Sequence, residues 1–253
     1  IPEFRGRNDE IGDLAADLNA MTEALSQRLD AIESFAADVA HELKNPLTSL
    51  RSAVETAARI KDPGQQQRLM DVIQDDVKRL DRLISDISDA SRLDAEMSRD
   101  ESDKIELNRM LAALVEVHHT SGRHGDQRIA FEETSKGPFR VLGNKGRVVQ
   151  VLQNLITNAF SFSPLEGFVM ARIGRDRDWV VVTIEDEGPG IPPGSLEKIF
   201  DRFYSERPDT EQFGTHSGLG LSISRQIVAA HQGLIQAENR TDLHGKVLGA
   251  RFI

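Results

Sequence analysis

FAADVAHELKNPLTSL, residues 35–50, sets one histidine in the middle of an amphipathic helix, and its reading decides how the first part of the chain folds. Successive residues of an α-helix advance by about 100°, so Val39 and Leu43 stand about 200° from His41 in opposite senses and share a face that His41 avoids. His41 is therefore predicted to point outward. Glu42 places a carboxylate beside the imidazole, and Asn45, at i+4, lies on the histidine's own face. Pro46 removes the amide that would bond the carbonyl of Glu42, and its ring crowds that carbonyl, so the helix is predicted to bend or loosen one turn after the histidine. The bland alternative is an inert surface histidine, the usual fate of a lone His on a helix.

The whole string HELKNPLTSLR resembles the H-box of bacterial sensor histidine kinases, in which the pattern H-E-x-x-N/T-P recurs and the histidine accepts a phosphoryl group. Upstream, Ile11, Leu14, Leu18, Met21 and Leu25 repeat at spacings of 3 and 4, a heptad seam that meets Arg28 and recovers at Ile32, Phe35 and Val39. An ordinary amphipathic helix is the alternative. DEIGDLAADLNAMT resembles the second half of a HAMP module, which implies a partial connector over residues 1–31 and a membrane anchor further upstream.

Downstream of Pro46, apolar residues continue at Leu47, Leu50, Val54 and Ala57, and Pro63 and Gly64 predict a turn after a helix ending near Ile60. A second stripe runs from Leu69 through Val72, Ile73, Val77, Leu80, Leu83, Ile84 and Ile87 to Leu93, closing at about Met97. Two helices with a short connection make an antiparallel hairpin. One hairpin cannot bury two long stripes against itself, so residues 32–97 are expected to pair with a second copy as a homodimeric four-helix bundle.

Composition bounds what else the chain does. With 253 residues, 39% hydrophobic and 28% charged, two compact domains are the natural division. No run of about 18 apolar residues and no charged-then-apolar leader is present, so neither a membrane span nor a signal peptide is predicted within these residues. The absence of cysteine excludes disulfides and thiolate metal sites. A formal net charge of −10 and 5% aromatic residues argue against nucleic acid as a partner.

The polar stretch SRDESDK, residues 98–104, reads as a linker to a second domain over residues 105–253. There RIAFEE, FRVLG, GFVMARIG, WVVVTIED and KVLGARFI read as strands, and residues 107–118, 146–162 and 219–231 as helices. A hairpin around residues 174–178 makes an α+β two-layer sandwich the expected fold rather than a doubly wound parallel sheet.

Four strings in this half carry chemistry. QVLQNLITNAFSFSP puts Asn154 and Asn158 at i and i+4 on one helical face. EDEGPGI places Asp186 at a strand end, with Gly188 and Gly190 allowing a tight backbone. IFDRFY holds Arg202 and Phe203. GTHSGLGLSISRQIV runs a glycine-rich turn, with Gly218, Leu219 and Gly220, into a helix whose N-terminus suits phosphate. Two amides alone are ordinarily capping or surface residues, and GLGL alone is weak.

Together and in this order the strings resemble the N, G1, F and G2 boxes of the histidine-kinase ATP-binding domain, in the wider group that includes Hsp90, type II topoisomerases and MutL. The resemblance implies ATP and Mg²⁺ as ligands, with Asn158 on the Mg²⁺. It gives Asp186 the adenine amino group and places Gly188 and Gly190 beside the base. Gly218 and Gly220 fall on the phosphate side, and Asn154, Phe203 and Leu219 in the same cofactor-binding set. Where the ATPase relatives carry a water-activating Glu, this chain has Asn154, and an amide accepts no proton at neutral pH, which favours transfer over hydrolysis.

Ser161 and Ser205 stand where many members have Lys and Arg, so the resemblance leaves Arg202 or Arg207 to supply phosphate-side charge. FSFSP and GTHSGLGLSI resemble the ChvG-type subset, alphaproteobacterial envelope sensors. The implied function is autophosphorylation of His41 from ATP with Glu42 as base, then transfer to an aspartate of a response regulator receiver domain. Asn45 would orient water for the reverse, phosphatase, activity, in the cytoplasmic portion of an inner-membrane receptor. The rivals are a catalytically degenerate dimeric scaffold that binds ATP, and a plain ATPase. His118, His119, His216 and His231 read as surface or loop residues.

Overall fold

The computed structural model describes residues 10–96, 103–121, 127–204 and 217–253. The chain divides into two compact units, Ile1–Asp81 and Arg82–Ile253, and the division falls inside a helix.

The first unit is built from α1, Glu10–Ala57, and the leading part of α2, Pro63–Glu96. Pro46 lies inside α1 and is buried, and the helix continues through it without ending. The turn between the helices differs from the expected one. Pro63 and Gly64 open α2 instead of standing in the loop, because a first-turn residue has no intrahelical acceptor for its amide and proline has no amide to leave unpaired. The Asp62 carboxylate caps this start by accepting from the amide of Gly64 (3.0 Å). The Gln66 side chain donates through Nε2 to the Ile60 carbonyl (2.7 Å), while Arg79 reaches Glu42 (3.1 Å). Moving back along α1 thus moves forward along α2, as antiparallel pairing requires.

The second unit is a two-layer α+β sandwich. Its strands are β1 (Asp103–Glu106), β2 (Arg128–Glu133), β3 (Arg140–Gly143), β4 (Phe168–Asp176), β5 (Trp179–Glu185), β6 (Ala237–Thr241) and β7 (Val247–Phe252). Its further helices are α3 (Leu107–Ser121), α4 (Lys145–Phe162) and α5 (Gly220–Ala230). Five strands form one sheet in the order β2-β4-β5-β7-β6, with β2 parallel to β4 and all other neighbours antiparallel; β1 and β3 pair separately. Val169, Ala171, Ile173 and Ile184 line the inner face of the large sheet, and Leu111, Ile156, Ala159, Ile223 and Ile227 supply the helical side of the same core.

Two strands escaped the sequence reading. β1 takes Asp103 and Lys104 out of the expected linker, whose residues 98–102 lie outside the described residues. β6, AENRT, lacks an apolar alternation because its side chains grip neighbouring main chain instead of filling the core. The β4–β5 connection is also tighter than expected: Gly174 sits within β4, and the turn is Arg177-Asp178, with Arg177 at φ 52°.

The outer face of the large sheet carries a ladder of alternating charge through all five strands. Glu132 of β2 pairs with Arg172 of β4 (2.8 Å), and Arg172 with Glu185 of β5 (2.7 Å). Arg251 of β7 then bridges Glu185 (2.7 Å) and Glu238 of β6 (2.8 Å). Glu185, the central rung, is only 3% exposed. Burial alone would raise its pKa, but hydrogen bonds from Arg172 and Arg251 outweigh burial and hold it below the usual glutamate range.

Candidate functional site

In the first unit the H-box side chains divide as the helical geometry requires. His41 and Asn45 are exposed, and Glu42, one position round the helix, is half-buried. The Glu42 carboxylate accepts from Arg79 of α2 at 3.1 Å, with the side chains 26% and 20% exposed. Arg79 lies 37 residues away, and no local pattern marks it. A guanidinium thus keeps one oxygen of the candidate base occupied and directed toward α2.

In the second unit the four strings converge. α4 begins at its N-cap Asn144, whose side chain accepts from the amide of Arg147 (3.1 Å), and carries Asn154 and Asn158 onward. Asn154 ties two helices together: its amide group donates to the Gly220 carbonyl (3.0 Å) and the Ser224 hydroxyl (3.3 Å) of α5. A glutamate there would set a carboxylate against a carbonyl. Asn158 is half-exposed, and no hydrogen bond among the described residues engages its side-chain amide. Its carbonyl accepts from Ser161 (3.0 Å), so the serine at the usual lysine position is bound to the helix itself.

Asp186 follows β5 directly and is 2% exposed. Its Oδ1 accepts from the amides of Gly188 and Ala250 (both 2.9 Å), which leaves Oδ2 without a hydrogen bond among the described residues. Burial raises its pKa above the ordinary aspartate value, opposed by those two amides and by the charge of Arg240. An acceptor oxygen held in a dry place by two main-chain donors is suited to one N–H of a ligand.

The F and G2 boxes meet at Phe203 and Gly218. The Phe203 amide donates to the Gly218 carbonyl (3.0 Å), and a Cβ on Gly218, which has φ +72°, would fall 2.8 Å from the Phe203 Cα. Gly220 opens α5, so its N-terminal end faces this junction. Ser217 donates to the Asp86 carboxylate, and its hydroxyl accepts from the Leu219 amide (3.2 Å). Burial raises the Asp86 pKa, with the Ser217 hydrogen bond acting against it.

Some expected site residues take other places. Leu219 is 1% exposed, so its side chain belongs to the core and its amide is already bonded to Ser217. Arg202 is exposed beyond the short turn Lys198–Phe200. Ser205, Arg207 and His216 lie outside the described residues. His231 is not a free loop histidine. Its Nδ1 faces the Ile227 carbonyl (2.7 Å), and its Nε2 accepts from the Asn144 amide (3.0 Å), pinning the end of α5 to the start of α4. His118 packs its ring against Phe160, centroids 5.3 Å apart.

Comparison with known proteins agrees with this geometry. Residues 31–96 match the His Kinase A (phospho-acceptor) domain, and residues 143–253 the histidine kinase-, DNA gyrase B-, and HSP90-like ATPase. Sensor protein ChvG of Rhizobium meliloti (strain 1021) is 51% identical over all of this chain, which spans 45% of that protein's length. The crystal structure of histidine kinase ThkA in complex with response regulator protein TrrA has a TM-score of 0.69 at 25% identity, covering 90% of this chain and 62% of that one. A catalytic domain of ThkA aligns at 30% identity with a TM-score of 0.51, covering 60% of this chain and 92% of that one. Among the described residues no helix is long and apolar enough to cross a membrane. A phospho-acceptor helical hairpin followed by an ATPase-type nucleotide-binding domain, matched along the whole chain by a sensor protein, makes this chain a member of the sensor histidine kinase family.

Proposed function

We propose that this chain transfers the γ-phosphoryl group of ATP to His41 and passes it on to an aspartate of a response regulator receiver domain. The observation that carries the reading is the pairing of an exposed H-box histidine with a nucleotide site whose two recognition groups, Asp186 Oδ2 and the Asn158 amide, are unengaged among the described residues. One imidazole nitrogen attacks the γ-phosphorus as the bond to the ADP oxygen breaks, and ADP leaves. Glu42 takes or orients the proton on the other nitrogen, and Arg79 sets where its carboxylate lies. Phosphoryl transfer is mostly positioning and electrostatics, which these fixed groups supply.

Asn158 fits a magnesium ion, offering one neutral oxygen. Among the described residues no cluster of three or more His, Cys, Asp or Glu could hold a metal. Bound at Asn158, magnesium would supply charge to offset that of the phosphates. Asn154, occupied with α5, offers no base for water, which favours transfer over the hydrolysis of the ATPase relatives.

The wider assignment is a homodimer, with residues 1–31 a partial HAMP connector, 32–97 the dimerization and phosphotransfer hairpin, 98–104 a linker and 105–253 the catalytic domain. The chain would be the cytoplasmic portion of an inner-membrane receptor, and Asn45 would orient water to dephosphorylate the regulator. The ThkA–TrrA complex and the similarity to ChvG support the regulator partner and the receptor context.

Incubation with γ-labelled ATP and Mg²⁺ tests the central claim. Label on the chain should be acid-labile and alkali-stable, and His41→Gln should abolish it with ATP affinity nearly unchanged. A degenerate scaffold, suggested by Ser161 in place of lysine, would bind ATP and take no label.

A further inference from the structure

Both ends of the turn that carries Asp186 are held by β6, the polar strand that the sequence hides. Neighbouring residues of a strand face opposite sides of its sheet, and β6 uses both sides. Asn239, in register with Ala250 on the inner face, accepts from the Ile191 amide at 2.7 Å and donates to the Ile191 carbonyl at 2.8 Å. One side-chain amide thus acts as a main-chain partner at the far end of EDEGPGI. Arg240, the next residue, works from the outer face. Its Nη1 donates to the Asp186 carbonyl (2.8 Å), and its Nε pairs with Glu185 (3.2 Å).

The neighbouring strand makes room for this grip. Gly249 of β7 has φ +148°, and a Cβ there would lie 1.9 Å from the Asp186 carbonyl oxygen. The β6–β7 register slips by one residue between Arg240 and Thr241, the local bulge that often re-aims side chains beside a site. Gly190 in turn lies directly against Asn239. The near end of the turn is therefore fixed through Asp186 and the far end through Ile191.

We propose that Asn239 and Arg240 are positioning residues that direct the unengaged carboxylate oxygen of Asp186, and so set the preference for a purine with an exocyclic amino group over one without it. The inference rests on the reading of Asp186 as the acceptor for that amino group. Hydrogen bonds weaken steeply as their angle opens, so a turn freed at either end loses discrimination before it loses general affinity for the triphosphate. Arg240 acts on Asp186 directly, and Asn239 acts on the far end of the same turn through Ile191.

The test is equilibrium binding of ATP and of inosine triphosphate, which carries a carbonyl in place of the amino group, to the full 253-residue chain. Asn239→Ala and Arg240→Met should each lower the ATP-to-inosine-triphosphate affinity ratio about fivefold, the scale of one hydrogen bond. A purely structural role would weaken both nucleotides alike or lower the melting temperature, and would leave the ratio in place. Where a truncation fails to fold, Asn239→Asp, which keeps the acceptor and loses the donor, and Arg240→Lys take its place, with a smaller fall in the ratio expected. Asp186→Asn is run beside them. A ratio that collapses in Asp186→Asn and stays at the wild-type value in every β6 variant overturns this proposal and leaves the role of Asp186 standing. A ratio unmoved by Asp186→Asn itself removes the reading beneath it.

Discussion

Leu111, Ile156, Ile173 and Ile184 of the nucleotide-binding unit are wholly buried by a single chain, whereas Leu14, Met21, Leu25, Ile32 and Leu47 of α1 are each more than half exposed. The same chain thus contains a closed core and an open one. A sheet with helices on one face completes itself, because each apolar strand face finds a helix of its own chain. Two long helices present stripes that face outward as well as toward each other, and an exposed apolar surface of that extent marks an association site. The lesson is that the second unit closes its core within one chain, while the first leaves apolar stripes open, the surface that the proposed homodimer would cover.

The largest effect should come from attacking the finished domain at its least expected point. Glu185→Ala removes the buried carboxylate that three arginines share, leaving Arg172 to Glu132, Arg251 to Glu238 and Arg240 without its ion pair. The loss should be about 3 kcal/mol, the low end for breaking a buried ion pair, because the arginines are partly exposed. Urea unfolding should show that loss confined to the nucleotide-binding transition. A loss shared with the hairpin transition would mean that the units do not unfold separately. Next in size is the open core. Val54→Lys combined with Val72→Lys should weaken the proposed self-association by about a hundredfold, since both valines are exposed in the single chain and fully burying a valine contributes about 1.5–3 kcal/mol. Sedimentation velocity reads this directly, and an unshifted profile would place the dimer contact elsewhere.

Asn45→Ala should act within the hairpin without opening it. Regulator dephosphorylation is expected to fall about tenfold, with autophosphorylation largely kept, because only the former needs a held water. Both rates read on one preparation decide the point, and a parallel fall would reduce Asn45 to shaping the helix before Pro46. The smallest effect concerns pH. Glu185 and Asp186 are sequence neighbours on opposite faces, and their pKa values shift in opposite directions. Glu185, held below its ordinary 4.5, contributes stability above that pH that is lost as pH falls through its lowered value. Asp186, raised above its ordinary 3.8, contributes stability that is full below that pH and is lost as pH rises through its raised value. Asp186→Asn should therefore leave the domain slightly more stable at neutral pH than the native residue does, while weakening adenine nucleotide binding. Thermal melts at pH 7 check the first half, and a large destabilisation there would contradict it.

Much of this architecture is legible in the residues because it depends on local periodicity and short motifs. The stripe Leu69–Leu93 and the seam upstream of His41 announce α1 and α2, and five strands announce themselves through β-branched runs. What stays hidden depends on partners far along the chain. Arg79 finds Glu42 only after the hairpin closes, and Glu185 looks like a surface residue until arginines from three other strands surround it. Leu219 carries the look of a loop residue between two glycines, yet it fills the core. β6 is the extreme case, since its polar side chains have no reason to alternate by hydrophobicity when their targets are amides and carbonyls.

The bracing of the Asp186 turn by β6 and β7 also orders events in time. The amide of Ala250, which holds the Asp186 carboxylate, lies 64 residues downstream of it. On a ribosome adding about 5–20 residues per second, that separation amounts to several seconds during which the turn has emerged without its clamp. A nascent chain in that interval can build α4 and the β4–β5 hairpin, but it lacks the amide that holds the Asp186 carboxylate. On the proposed role of Asp186, nucleotide is recognised only after the last two strands have closed on this turn.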